Sequence, residues 1–215
     1  MRHNVEILNV FGDDTMVCNC ARVSYQKEAS NYTEEQNAKL IKYLVDHKHT
    51  SVFRHPQLQF RVIVPIYVAR QLEKHQVGMS LNSISGRYVD FSDSYSTIEI
   101  WRKQSKSSKQ GSEGLVYNQN RCKEIQTSVI NYCKLAYKEL LELGVSKEQA
   151  RSILPLSLDT TFIWTGSLLS FIHLFNLRLK PDAQQETRDV VEQILQEIKG
   201  IKGNPFKHSL EAFNL

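Results

Sequence analysis

The stretch from Gln57 to Pro65 constrains the fold more than any other part of the chain. Leu58, Phe60, Val62 and Val64 recur at every second position, with Gln57, Gln59 and Arg61 between them. A period of two is that of a strand, because successive side chains point to opposite faces of the sheet. Polar residues at the alternate positions mean one covered face and one wet face. Such a strand needs neighbours in a sheet and a layer over its apolar side. Pro65 ends the alternation. It brings no N–H to a ladder but suits the first turn of a helix. A helix is therefore expected from about Ile66 to Gln76.

The rest of the pattern fills in around this strand. A second alternation, Leu158, Thr160, Phe162 and Trp164, predicts a strand far downstream. Ser167 can cap the helix after it, with Leu168, Phe171, Ile172 and Phe175 as a buried stripe. Before the first alternation, three short strands are expected: around Val5 to Leu8, from Thr15 to Cys20, and from Ala21 to Tyr25. Thr33 with Gln36 forms a capping box that opens a helix ending near Asp46. His47 to His55 reads as irregular, and Val77 to Tyr88 as a Gly/Ser/Asn loop. Lys103 to Gly114 is rich in Ser, Lys and Gln and is expected to be a mobile surface loop. A long helix from about Leu115 to Leu143 stops at Gly144. Ser146 with Gln149 suggests another capping box, opening a short helix that ends before Pro155. Asp182 is expected to cap a last helix, with Val190, Val191, Ile194 and Ile198 inward and Gly200 as its stop. The fold class is α+β: a mixed or antiparallel sheet packed with helices, including a long helix in the second half. No boundary divides the chain, so residues 1–215 are expected to form a single domain.

Composition narrows the class. The 215 residues can bury a sizeable core without disulfide or metal staples. No apolar run approaches the roughly 18 residues of a membrane span. The N-terminal Met-Arg-His-Asn-Val-Glu leads into a polar segment, so a cytoplasmic protein is expected. The net charge of +4 is too mild to demand a polyanionic partner. Cys18, Cys20, Cys122 and Cys133 show no disulfide framework. Cys18 and Cys20 form C-x-C with no second pair, too few thiolates for a tetrahedral zinc site, and are expected as buried strand cysteines.

Three segments concentrate polar residues beyond what folding needs. The first is His49-Thr50-Ser51-Val52-Phe53-Arg54-His55. The second is Arg70-Gln71-Leu72-Glu73-Lys74-His75-Gln76, followed by Ser80, Asn82, Ser85, Arg87 and Tyr88. The third is Arg151, then His173 and Arg178, with Gln184, Glu186 and Arg188 behind. In the second, Arg70 and Lys74 share a helix face near its end, and Gly78 and Gly86 allow close backbone approach. Cations, hydroxyls and backbone N–H groups in one neighbourhood suit a phosphate ester. On composition alone the favoured reading is an ordinary solvated helix face with a Ser/Gly loop. His47, His49 and His55 lack metal-ligand spacing, so no metal is expected. The periodicity around His173 suits a core histidine. There is no dinucleotide or Walker loop and no nucleophile elbow.

Taken together, these blocks resemble flavin-dependent thymidylate synthases. The resemblance rests on His49-x-x-x-Phe53-x-His55 and on Phe60-Arg61-x-x-x-Pro65-Ile66-x-Val68-Ala69-Arg70-Gln71. It continues through Ser80-x-Asn82-x-x-Ser85-x-Arg87-Tyr88, Ala150-Arg151-x-x-Leu154-Pro155 and Phe162-x-Trp164-Thr165. Phe175-x-Leu177-Arg178 and Ala183-Gln184-x-Glu186 complete it, and Ala21-Arg22-Val23-Ser24 precedes it. It covers roughly residues 16 to 195.

The resemblance implies a homotetrameric enzyme with active sites at subunit interfaces, converting dUMP to dTMP. The methylene would come from 5,10-methylenetetrahydrofolate and the reducing equivalents from NADPH, through bound FAD. By position, Gln71, Leu72, Glu73, Lys74, Ser83, Ile84, Ser85, Gly86, Arg87 and Arg151 would hold dUMP. Arg178 would contact the uracil and act in catalysis. Ser51, Lys74, His75, Gln76, Ser83, Ser167 and His173 would line FAD, and His49 would lie near the folate. The chain departs from the family's usual Arg-His-Arg signature. It has Lys74-His75-Gln76, a loop one residue longer before Ser85, and Ser83 in place of an acidic residue. Lysine keeps a point charge but loses the planar fork of arginine. None of the four cysteines lies in the three polar segments, which fits a route without a protein thiolate. Two other readings remain: a dUMP-modifying enzyme of this fold adding a different one-carbon group, and a nucleic-acid-binding module using the 103–114 loop.

Overall fold

In the computed structural model, the described residues are 4–90, 93–107 and 111–215. The expected strand is present as β2, Gln57–Pro65, and the downstream one as β6, Asp159–Ser167. They pair antiparallel, Phe60 opposite Trp164 and Val62 opposite Phe162. β1 (Asn4–Phe11) pairs with the outer edge of β2, and β3 (Met79–Ser83) with the outer edge of β6. The sheet order is β1-β2-β6-β3.

One face of this sheet is the core. Leu58, Phe60, Val62, Val64, Phe162 and Trp164 are buried together. Covering them are α6 (Leu168–Arg178) and α7 (Gln185–Gly200), through Phe171, Ile172, Val190, Val191 and Ile194. The other face is polar: Gln59 donates to Thr165 at 2.9 Å, and Arg61 meets Glu6 at 2.5 Å. The alternation read from the sequence therefore assigns each residue to its correct face.

Several local expectations hold in detail. The Thr33–Gln36 capping box opens α2, Glu34–Asp46. The hydroxyl of Ser167 accepts the Ser170 N–H and caps α6. The long helix is present as α4, Gln119–Glu142, but it begins four residues later than expected, since Leu115 belongs to a strand. Among the described residues, no helix is long and apolar enough to cross a membrane.

Other expectations are corrected. Residues 15–20 and 21–25 are not strands. Asp14–Arg22 form a helix, α1, and Val23–Tyr25 a 3-10 turn. The Asp13 carboxylate caps α1 by accepting the Met16 N–H, and Cys18 is buried on that helix with its thiol pushed up to about 11, chiefly by burial. The β-branched Thr15 and Val17 mislead a local reading, because packing on α2 outweighs a weak intrinsic preference. The helix after Pro65, α3, stops at Leu72 and not Gln76. Within the expected 77–88 loop lies β3. Gly78 precedes it at φ +70°, and an added Cβ would collide with Ser170 Oγ, so only glycine fits this turn. Ser146 makes no side-chain cap for α5 (Lys147–Ala150), so that capping box does not form. Gln184, not Asp182, occupies the N-cap position of α7. His173 is exposed and not a core histidine. The 103–114 excursion contains strands β4 (Arg102–Gln104) and β5 (Ser112–Leu115), paired as a hairpin, while its residues 108–110 lie outside the described residues. A terminal helix, α8 (Lys207–Ala212), has no counterpart in the sequence reading. Its N-terminal N–H groups at His208 and Ser209 donate to the half-buried Asp14 carboxylate.

Candidate active site

The ends of α3 and α6, the N-terminus of α7 and the start of the hairpin converge on one cleft of about 670 Å³. That volume suits a small ligand. From α3 and its turn come Arg70, Gln71 and Lys74; from the end of α6 comes Arg178. The α7 side supplies Gln184, Glu186 and Arg188, and the hairpin side Trp101 and Arg102. Residues remote in sequence meet here because β2 and β6 run antiparallel: α3 and α6 start at opposite ends of the pair, and α6 runs back so that its C-terminal end reaches that of α3.

The Arg178 guanidinium is fixed twice. Its Nε donates to His75 Nε2 at 2.9 Å, and its Nη2 donates to the Gln71 carbonyl at 3.3 Å. Guanidinium carries five N–H donors, so others remain for a ligand. The bond requires an unprotonated His75 Nε2. Burial first, and then the Arg178 cation, lowers the His75 pKa. The unfolded chain therefore takes up this proton at a higher pH than the folded one, and stability falls as pH drops below about 6.5. A wild-type protein should lose more melting temperature between pH 7.5 and pH 5.5 than His75→Gln does. Equal losses would show that His75 is not held neutral by this contact.

Gln71 is held by side chains of the α7 region. Its amide nitrogen donates to Gln184 Oε1, and its oxygen accepts from Thr187 Oγ1 at 3.2 Å. Glu186 is buried, accepts from Gln184 Nε2 at 2.9 Å and pairs with Arg102 Nη2 at 2.6 Å. Burial works to raise the Glu186 pKa, but hydrogen bonds from Arg102 and Gln184 outweigh it and the carboxyl titrates below its ordinary range. Two donors in the cleft walls, Trp101 Nε1 and Arg188 Nε, are enclosed and have no hydrogen-bond partner among the described residues. Buried donors without acceptors are costly, and these two lie enclosed in the walls behind the cleft surface.

A second, smaller hollow of about 280 Å³ lies on the other side of this turn, lined by Glu73, His75, Gln76, Met79, Leu81 and Trp164. The Arg178–His75 bond joins the two spaces.

The sequence-derived candidates thus divide. Gln71, Lys74 and Arg178 share the cleft; Glu73, His75 and Gln76 share the hollow. Leu72 between them points into the core. Ser83 ends the edge strand β3, followed by Ile84, Ser85, Gly86 and the exposed Arg87, whose Nε donates to Ser85 Oγ at 3.4 Å. Arg151 is exposed and turns back on the Glu148 carbonyl. Ser51 and His173 are exposed on two elements that pack together, the 3-10 turn Thr50–Arg54 and α6. Ser167 is buried as the α6 cap, and His49 is exposed beside Tyr43 and His47. Neither of the two spaces includes Ser83 to Arg87, Arg151, Ser51, His173 or His49. The cleft adds Trp101 and Arg102, which the sequence reading did not single out. Their one local signal is an arginine beside a tryptophan at the entry to the Ser/Lys/Gln-rich stretch. None of the four cysteines lines either space, and no group of three His, Cys, Asp or Glu able to hold a metal occurs among the described residues.

The chain matches the family described as "Thymidylate synthase complementing protein" over residues 6–202. A flavin-dependent thymidylate synthase of Thermus thermophilus is 38% identical over 198 residues, covering 91% of this chain and 71% of that protein. The enzyme of that name from Thermosipho africanus is 36% identical over 212 residues, 97% of this chain and 90% of its own length. Among solved structures, the UMP/dUMP methylase PolB from Streptomyces cacaoi, bound with 5-Br dUMP, superposes with a TM-score of 0.88 at 26% identity, across 99% of this chain and 95% of that one. With the fold, the order of the motifs and these relatives in agreement, the chain belongs to the flavin-dependent thymidylate synthase family of methyltransferase enzymes.

Proposed function

We propose that this protein methylates dUMP to dTMP, with 5,10-methylenetetrahydrofolate and NADPH as co-substrates and FAD as its cofactor. The observation that carries the reading is the cleft itself, with Arg178, Arg70 and Lys74 in its walls. That donor set fits a nucleotide phosphate and a dinucleotide cofactor alike, and the PolB structure holds a dUMP analogue. FAD supplies the redox and carbon-transfer chemistry when bound. Lys74, His75 and Gln76 would hold it, with Ser51, Ser83, Ser167 and His173 as further candidates.

The chain's own residues do the rest. Arg178, locked by His75 and the Gln71 carbonyl, offers a fixed cation where negative charge develops on the uracil carbonyl. Gln71 orients the nucleotide, with Leu72 and Glu73 contributing backbone from the same turn. The absence of a thiol from both spaces agrees with a route that uses no cysteine nucleophile.

Ser83, Ile84, Ser85, Gly86, Arg87 and Arg151 lie outside the cleft of their own chain, which supports sites completed by a second copy in a homotetramer. The face of α4 supports self-association too. Ile125, Val129, Tyr132 and Leu135 are 50%, 49%, 73% and 68% exposed on one long helix, a row of large apolar side chains that a second copy could cover. Arg87→Ala is expected to weaken dUMP about tenfold to a hundredfold if it makes a charge-assisted contact. An unchanged dissociation constant in calorimetry would remove it from the site.

The decisive test is product mass. Purified protein showing a flavin spectrum is incubated under low oxygen with dUMP, methylenetetrahydrofolate and NADPH. Formation of dTMP supports the reading. A heavier nucleotide favours a different one-carbon group, which the altered Lys74-His75-Gln76 segment keeps open. A protein that stays colourless after soaking in FAD sinks both.

A further inference from the structure

Two features of the molecule lie outside the nucleotide and assembly roles given so far: the Arg102–Glu186 pair and the Asp14 anchor of α8. Only the first reaches the cleft. Glu186 is 7% exposed, yet the family resemblance gives it no task. Its two oxygens are used differently. Oε1 takes Arg102 from the hairpin, and Oε2 takes the Gln184 amide. Gln184 reaches on to Gln71, and Gln71 in turn supplies part of the Arg178 anchor, since its own carbonyl holds Arg178 Nη2.

The chain of bonds has a direction, and the charge on Glu186 sets it. A primary amide has one donor end and one acceptor end, and nothing in its shape prefers either orientation. An ionised carboxylate accepts only. Facing Glu186, Gln184 must therefore present its NH2 group, which turns its oxygen towards Gln71. Gln71 must answer with its own NH2 group, so its oxygen faces Thr187, whose hydroxyl donates to it at 3.2 Å. Arg102 keeps the carboxylate ionised where it is buried, and Ser112 Oγ steadies Arg102 by accepting from its Nε at 2.7 Å. Two amides thus inherit their orientation from one ion pair, over a path that begins on the hairpin and ends in the cleft.

We propose that Glu186, paired with Arg102, is a positioning residue that fixes the orientation of the Gln71 amide through Gln184, and so fixes which polar atoms Gln71 offers to the nucleotide. This rests on the assignment of Gln71 to dUMP binding. A neutral glutamine at 186 keeps the size of the side chain but accepts or donates at either end. The amide chain then loses its single direction, and a fraction of the molecules present the wrong face of Gln71.

The test is a thermodynamic cycle on dUMP affinity, measured by calorimetry on the flavin-loaded protein, with melting temperature recorded for each variant. Glu186→Gln is expected to weaken dUMP about tenfold or more, the scale of a hydrogen bond controlled by a charged group. Gln184→Leu, which breaks the relay but leaves the ion pair, should weaken it by a similar factor. The specific prediction is non-additivity. In a Gln71→Leu background, neither change should weaken dUMP further, whereas a general loosening of the fold would act in both backgrounds. Arg102→Lys should retain most of the affinity and Arg102→Met should not. If Gln71→Leu weakens dUMP while Glu186→Gln and Gln184→Leu leave it unchanged, or if their effects simply add, the inference is overturned and the function stands. If Gln71→Leu itself leaves dUMP affinity unchanged, or the wild-type protein does not bind dUMP, the assignment of Gln71 falls and this inference with it.

Discussion

Arg178→Ala is expected to reduce turnover by at least about a hundredfold to a thousandfold, the cost of removing one preorganised group from a site of developing charge. The protein should still fold and still bind flavin. Arg178 is the last residue of α6, and the buried part of that helix ends at Phe175, so its truncation opens no cavity in the core. Its removal frees two acceptors, His75 Nε2 and the Gln71 carbonyl, both at the cleft edge, where water can replace the lost donor. Arg178→Lys should recover little, because an ammonium lacks the planar fork whose separate corners reach His75 and the Gln71 carbonyl. Steady-state turnover with a flavin absorbance spectrum on the same sample decides the matter. Loss of the flavin, or a near-normal rate, would show that the role assigned to Arg178 is wrong.

Phe171→Ala is expected to cost about 3–5 kcal/mol of folding stability. Phe171 is fully buried at the centre of the molecule. Its ring meets Phe60 of β2 edge-on at 5.1 Å and Trp164 of β6 at 5.7 Å, with Phe175 one turn further along α6 at 6.5 Å. Alanine would leave a void bounded by two strands and a helix, none of which can move in without disturbing the sheet register. For a chain of this size the loss corresponds to a melting temperature lower by about 10 °C. Urea and thermal unfolding measure it directly. A loss below about 1 kcal/mol would mean that this aromatic cluster is not the keystone of the fold. The change also bears on function, since α6 carries Arg178 at its end and loosening its seat widens the positions the guanidinium can take.

The parts of the fold that were legible in the sequence are those set by short-range chemistry. Leu58 to Val64 declare a strand because alternation has no other stable reading beside a proline. Thr33 with Gln36, and Ser167 before Leu168, announce helix starts because the first N–H groups of a helix need a local acceptor. Where local signals are weak or ambiguous, tertiary packing decided. Thr15 to Arg22 carries residues acceptable to strand or helix, and burial of Val17 and Cys18 against α2 selects the helix. β3 was hidden because its alternation is short: Met79 and Leu81 are its only apolar residues, set among serines, an asparagine and a glycine, and an edge strand with one neighbour needs no more. Asp182 has the right side chain for a cap but stands outside the turn that α7 adopts, which begins after Gln184.

The candidate site divides along the same line. The sequence by itself identified the family through ordered motifs, marked Arg178, Gln71, Lys74 and His75 as the polar residues of interest, and placed no cysteine in the three polar segments. It could not say that the Arg178 guanidinium rests on His75, 103 positions earlier in the chain, or that Arg102 reaches Glu186, 84 positions later. Such contacts depend on which strands pair and in what register, and register is a property of the whole sheet. The same cause explains why Trp101 and Arg102 were missed. Nothing near them in sequence tells of a cleft, because its opposite wall is built from α3, α6 and α7. Local chemistry wrote the elements and the family motifs; the antiparallel pairing of β2 with β6 gathered their ends into one cleft.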